Sequence, residues 1–150
     1  MKKEINNIPK WKYKNFDLDD YKQLPDEPFG FIYKITLSNG KSYLGKKNFF
    51  TERKVKLGKK ELALITDKRL KKYKIVKKES DWQTYIGSNK ELKEDVAKGV
   101  SVVSRDILFI ARDTKQLTYL ETRELFKEGV LEREGFYNDN ILGKFFRKDV

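Results

Sequence analysis

An Asn39-Gly40 pair stands between two β-prone runs, Phe31-Ile32-Tyr33-Lys34-Ile35-Thr36-Leu37 and Ser42-Tyr43-Leu44. Asn and Gly tolerate the positive φ that a tight connection between antiparallel strands demands, so this stretch is constrained to a β-hairpin. The hairpin carries two tyrosines ten residues apart, Tyr33 in Gly30-Phe31-Ile32-Tyr33 and Tyr43 in Tyr43-Leu44-Gly45, followed at once by Lys46 and Lys47. It reads as a polar aromatic pair flanked by cations.

Register decides whether the two phenols can act together. A two-residue type I′ loop of Asn39-Gly40 sets Tyr33 against Lys46 and points Tyr43 to the opposite side. A three-residue loop, Ser38-Asn39-Gly40 with Gly40 left-handed in a G1 bulge, sets Ile35 against Tyr43 and Leu37 against Lys41. Tyr33, Tyr43 and Lys47 then share one face, because side chains alternate with period two and a slip of one residue flips the set. The functional reading rests on the bulged loop, with the shared face turned toward Glu121.

Composition removes many chemistries. The 150 residues include no cysteine and no histidine. Disulfides, zinc sites built on His or Cys, and histidine acid–base catalysis are therefore excluded, and catalysis must rest on Tyr, Lys, Arg, Glu, Asp or Asn. The length fits one domain over 1–150. A net charge of +11 favours a polyanionic partner, nucleic acid being the commonest. The N-terminus lacks an apolar signal core and no long apolar run occurs, which predicts a soluble protein of the cytoplasm with no membrane partner.

Along the chain, residues 1–28 are polar with spaced aromatics, Trp11, Tyr13, Phe16 and Tyr21, and end at Pro25-Asp26-Glu27-Pro28, which reads as an N-terminal arm. After the hairpin comes a basic insertion over 48–80. Twelve cations and three acids lie between Thr51 and Lys78. Arg53, Lys54, Lys68, Arg69, Lys71 and Lys72, interleaved with Tyr73 and Trp82, are candidates for nucleic-acid contact, as is Lys90; a solvated charged face is the plainer alternative. A helix is expected after Ser88 or Asn89 as N-cap, with Leu92 and Val96 on one face and Gly99 as stop. Strand is expected over Ser101–Val103 and Ile107–Ile110, then a helix from Thr114 to about Val130.

On that helix Glu121 falls one turn from Leu117 and from Leu125, which places a carboxylate in the apolar stripe. Such a carboxylate needs a partner. A hard divalent ion such as Mg²⁺, held by one carboxylate with waters and a substrate phosphate, would serve. A salt bridge to Arg123, Arg105 or Lys127 would serve as well, and Glu124 is the rival position.

The ordered set Phe31-Ile32-Tyr33, Tyr43-Leu44-Gly45, a capped helix, a strand, Leu120-Glu121 on a helix and Phe136-Tyr137-Asn138 resembles the GIY-YIG nuclease superfamily over residues 29–143. The Trp82-Gln83-Thr84-Tyr85-Ile86-Gly87-Ser88 segment is similar to the small phage-encoded Seg-type, homing-endonuclease-like members. The resemblance implies an α+β, sandwich-like fold with a three-stranded antiparallel sheet flanked by helices. It implies a Mg²⁺- (or Mn²⁺-) dependent DNA endonuclease acting on double-stranded DNA, with the cytoplasm of a phage-infected bacterium as its setting. Carried over by position, Tyr33 activates the attacking water, Tyr43 is the second phenol, Glu121 the metal ligand and Asn138 the supporting asparagine.

Two departures stand out. Gly30 precedes the first motif instead of opening it, and the family's arginine on the helix after the second motif is missing, since residues 89–99 hold only Lys90, Lys93 and Lys98. Lysine supplies a point charge but no bidentate fork. Lys47 is the first candidate for that role, Lys90 the second and Arg105 the third. Tyr85-Ile86-Gly87 repeats the second motif out of hairpin range and reads as the loop entering the helix. The missing arginine keeps an alternative open, a catalytically inactive nucleic-acid-binding module of the same fold. Monomer and homodimer remain equally open.

Overall fold

The computed structural model describes residues 8–67 and 69–150, so Lys68 and the first seven residues lie outside the described residues. Strands β1 (Trp11–Tyr13) and β2 (Phe16–Leu18) form a short hairpin turned by Lys14 and Asn15, both at positive φ (48° and 70°). Then follow β3 (Gly30–Leu37), β4 (Ser42–Asn48), β5 (Phe50–Lys56), α1 (Lys59–Ala63), β6 (Tyr73–Glu79), α2 (Lys90–Ala97), β7 (Val102–Ala111), α3 (Thr114–Lys127), β8 (Asn140–Ile141) and β9 (Phe145–Phe146).

The main sheet has five strands in the order β2-β1-β7-β3-β4, where three were expected. The antiparallel trio β7-β3-β4 is extended by β1, which runs parallel to β7, and by β2. Three-residue strands offer too few positions for alternation to register, and the Lys14-Asn15 turn uses no glycine. The aromatics Trp11, Tyr13 and Phe16 were the trace of this hairpin: Trp11 is buried, and its indole N–H donates to Trp82 O at 2.6 Å.

The long hairpin takes the bulged register. Gly40 sits at φ +84°, Leu37 N–H donates to Lys41 O at 2.9 Å, and the ladder pairs Ile35 with Tyr43, Tyr33 with Gly45 and Phe31 with Lys47. Tyr33, Tyr43 and Lys47 thus share a face. That face is packed by rings: Trp11 lies edge-on to Phe31 and Tyr33 (centroids 4.9 and 5.3 Å), and Phe49 meets Phe31 and Trp82 (4.9 and 5.1 Å). Such pairs add to the burial of their area.

Helix α3 packs on the opposite face, where Leu117 meets Ile32 and Ala111, and Leu125 joins Leu44, Val130 and Phe136. The tyrosine face is therefore not the one α3 covers, contrary to expectation. Two side-chain caps start the helices: Asn89 accepts from Leu92 N–H at 2.9 Å for α2, and Asp113 from Gln116 N–H at 2.8 Å for α3. Gly99 at φ +107° ends the turn after α2.

Two compact units divide the chain, residues 1–49 with 81–150 as one and 50–80 as the other. The second consists of the β5–β6 ribbon and α1.

Candidate active site

Tyr33 pairs directly with Gly45, and its ring lies across β4 over the glycine: a Cβ at position 45 would collide with the Tyr33 hydroxyl. Because β4 is the edge of the sheet, this carries the phenol toward the outer margin. Tyr43 stands beside it with ring centroids 6.2 Å apart. Gly87, at φ +97°, closes the other side: a Cβ there would come within 3.1 Å of the Tyr43 ring and 3.5 Å of the Tyr33 hydroxyl. The two glycines make the phenol cluster possible, since any side chain at 45 or 87 would occupy its space.

The loop entering α2 thus belongs to the cluster. Tyr85 lies edge-on to Tyr33 at 5.9 Å, and the Tyr43 hydroxyl is 3.4 Å from Ser88 Oγ. Burial, then the neighbouring phenols of Tyr85 and Tyr43, push the Tyr33 phenol well above its ordinary value, and Glu121 adds to the shift. Tyr43 is raised too, chiefly by burial, with Glu121 again among the causes. Both phenols therefore lie within electrostatic reach of the carboxylate although α3 covers the other face. They meet around the edge of β4.

At that edge a cleft of about 260 Å³ is lined by Tyr43, Lys46, Glu121, Asn138 and Asp139 among others. Burial raises the Glu121 carboxyl, opposed by the charge of Lys46. Among the described residues Glu121 makes no ion pair: Arg123 reaches Glu124 instead, at 3.5 Å, and Arg105 lies elsewhere. No group of three or more His, Cys, Asp or Glu that could hold a metal occurs among the described residues. One half-buried carboxylate, with Asp139 across a polar cleft that leaves room for water, fits a hydrated hard cation such as Mg²⁺, which uses few protein ligands.

Asn138 completes the edge strand. The tail runs beside β4, with Ser42 N–H donating to Gly135 O and Tyr137 N–H to Ser42 O, both at 2.8 Å. The Asn138 side chain continues this ladder, accepting from Leu44 N–H at 3.1 Å and donating to Leu44 O at 2.8 Å. Beyond Leu44 the edge opens into the cleft. Asn138→Ala would strand a buried N–H and C=O, and the expected cost is roughly 2–3 kcal/mol, read as a thermal midpoint lower by about 4–12 °C. An unshifted melt would mean that water or a neighbour satisfies the strand as well as the amide does.

The expected cations are distributed unevenly. Lys47 shares the tyrosine face, but its ammonium is bound to Asp81 at 2.6 Å and sits 4.1 Å over the Tyr85 ring. Lys90 is exposed at the start of α2. Arg105 is buried, donates to Pro9 O and Tyr85 O at 2.7 and 2.9 Å, and stacks on Trp11; burial pulls its guanidinium down to about 10. Of the remaining candidates, Arg53, Lys54, Arg69, Lys71 and Lys72 all lie in the 50–80 unit, with Arg69 paired to Asp67 at 3.1 Å.

Lys46 is the cation in the cleft, its ammonium 3.1 Å from Thr118 Oγ1 on α3. Sequence reasoning passed over it because the bulged register turns it away from the tyrosines. The signal that could have found it was the edge position of β4, where both faces reach one margin. Arg147 was missed as well. Its guanidinium donates to the carbonyls of Leu131, Arg133, Phe136 and Asn138, holding the segment that carries Asn138.

The family model described as "Putative endonuclease segE, GIY-YIG domain" matches residues 11–141. No curated protein and no solved structure matches the chain.

Proposed function

The chain belongs to the GIY-YIG nuclease superfamily, in its segE-type branch, and from that premise we propose that it is a metal-dependent endonuclease hydrolysing phosphodiester bonds of DNA. The observation that carries the proposal is that Tyr43 and Glu121 line one cleft at the edge of β4, with the buried Tyr33 phenol packed beside Tyr43 over the bare backbone of Gly45.

In this reading Glu121 would hold a hydrated Mg²⁺ or Mn²⁺, which would supply charge neutralisation at the scissile phosphate and the leaving oxygen. Tyr33, as the phenolate, accepts a proton from the attacking water as the new P–O bond forms, and the leaving oxygen departs as an alkoxide that solvent water protonates. A phenol raised by burial is mostly protonated near neutral pH, so the active fraction of Tyr33 grows with pH. Tyr43 lines the cleft beside it and orients the attacking water. The Lys46 ammonium offers a point charge to a non-bridging phosphate oxygen, the part left vacant by the missing helix arginine. Asn138 and Arg147 keep the edge of β4 straight beneath these groups.

Supercoiled plasmid incubated with the protein should be nicked or linearised with Mg²⁺ or Mn²⁺ and remain intact in EDTA. Salt-sensitive binding with no cleavage in any divalent ion would favour the inactive binding module instead.

A further inference from the structure

The unit formed by residues 50–80 has no buried residue among those described. Its two seven-residue strands pair in unbroken register from Phe50 opposite Glu79 to Lys56 opposite Tyr73. A two-stranded ribbon without a core is marginal by itself. Twelve lysines and arginines against four acids in its sequence make it a surface for a polyanion.

Alternation divides the ribbon into two faces. On one, Lys74 is held by Glu61 of α1 at 3.1 Å, so the helix lies toward that side. The other face carries Lys54, Lys56 and Lys77 around Tyr73 and Ile75, with Glu52 opposite Lys77 and Glu79 opposite Phe50 at one end. Lys54 stands 4.6 Å over the Tyr73 ring and Lys77 4.2 Å over Phe50. Ile75, directly opposite Lys54, is 57% exposed. Both rings are covered by ammonium groups, which leaves them poorly disposed to stack on the bases of a single strand. Three lysines about an exposed branched apolar side chain, against the single acid Glu52 beside it, suit duplex grooves instead: the ammoniums match phosphates and base acceptors, and the isoleucine matches a thymine methyl.

Dimensions select the groove. Seven residues span about 23 Å, and two strands with their side chains fit the roughly 12 Å major groove but not the roughly 6 Å minor groove. We infer that the β5–β6 ribbon enters the major groove of duplex DNA with its Lys54–Ile75 face toward the base edges, and is the recognition element of this chain. The inference rests on DNA being the substrate.

The test uses the full-length protein in EDTA, with a mixed-sequence duplex of about 30 base pairs followed by fluorescence anisotropy and by dimethyl sulfate reactivity at guanine N7. Wild type should protect N7. Lys54→Ala combined with Ile75→Ala should weaken binding roughly 10- to 100-fold, lower the salt slope by about one, and abolish the protection. Lys54→Gln alone, which keeps the length of the stem, should produce the same slope change. The inference is overturned if the double variant binds as wild type does, or if N7 stays reactive while a minor-groove ligand displaces the protein. It is also overturned if the variant changes only the oligomeric state of the free protein. N7 protection by a protein that never cleaves would support the ribbon and sink the nuclease proposal; cleavage without N7 protection would do the reverse.

Discussion

Glu121→Gln is expected to lower Mg²⁺-supported cleavage on the order of 10³-fold while DNA affinity in EDTA changes little. The substitution keeps shape and removes only the charge that would hold the ion, and several kcal/mol of charge stabilisation at the phosphate are lost with it. Stability should move the other way. The Glu121 carboxyl is raised by burial, so folding disfavours its ionised form. A carboxyl whose folded pKa exceeds its unfolded value destabilises the fold once pH passes that unfolded value, and a neutral amide removes the penalty. At neutral pH the variant should therefore melt at the wild-type temperature or slightly above it. A large loss of stability would mean that Glu121 anchors the fold instead of serving the cleft.

Tyr33→Phe is expected to reduce the single-turnover rate by about 10²- to 10⁴-fold, the range for losing a positioned general base. Phe retains the ring that lies over Gly45 and packs against Trp11, so folding should survive. The pH profile separates loss of chemistry from loss of shape. The base must be ionised to act, and burial holds the Tyr33 phenol above its ordinary value. The wild-type rate should therefore climb with pH through roughly 6 to 9 without a plateau, and the Phe variant should lose that climb. A parallel profile in the variant would assign the base to another group, with Tyr43 next in line.

The parts of this molecule that could be read from sequence are those where one residue type has one geometric use. Asn39-Gly40 announced the hairpin, and the alternation of Tyr33, Tyr43 and Lys47 followed once Gly40 was placed in the bulge. Asn89 and Gly99 bounded α2 by capping chemistry, but the Leu117–Glu121–Leu125 spacing was only a partial guide on α3: Glu121 is half-buried at the cleft, and the rival Glu124 is the carboxylate that lies buried with Leu117 and Leu125. What escaped depends on distant partners. Nothing local tells that Trp11 will bring β1 against β7, or that Arg147 will gather four carbonyls of the tail. Lys47 and Lys46 are neighbours in sequence, but Asp81 claims one and the α3 side of the cleft the other. The direction of the tyrosine face was misjudged for a related reason. Glycine at 45 allows the Tyr33 ring to lie over the edge strand beside Tyr43, and Tyr43 meets Glu121 at that margin from the opposite face.

The most direct measurement is plasmid cleavage under single-turnover conditions across a Mg²⁺ titration, with wild type beside Glu121→Gln and equal DNA occupancy verified in EDTA. Saturable, Mg²⁺-dependent cleavage by wild type and none above background by the variant is the predicted result. Equal rates from the two proteins at every Mg²⁺ concentration would contradict a metal-loaded cleft at the edge of β4.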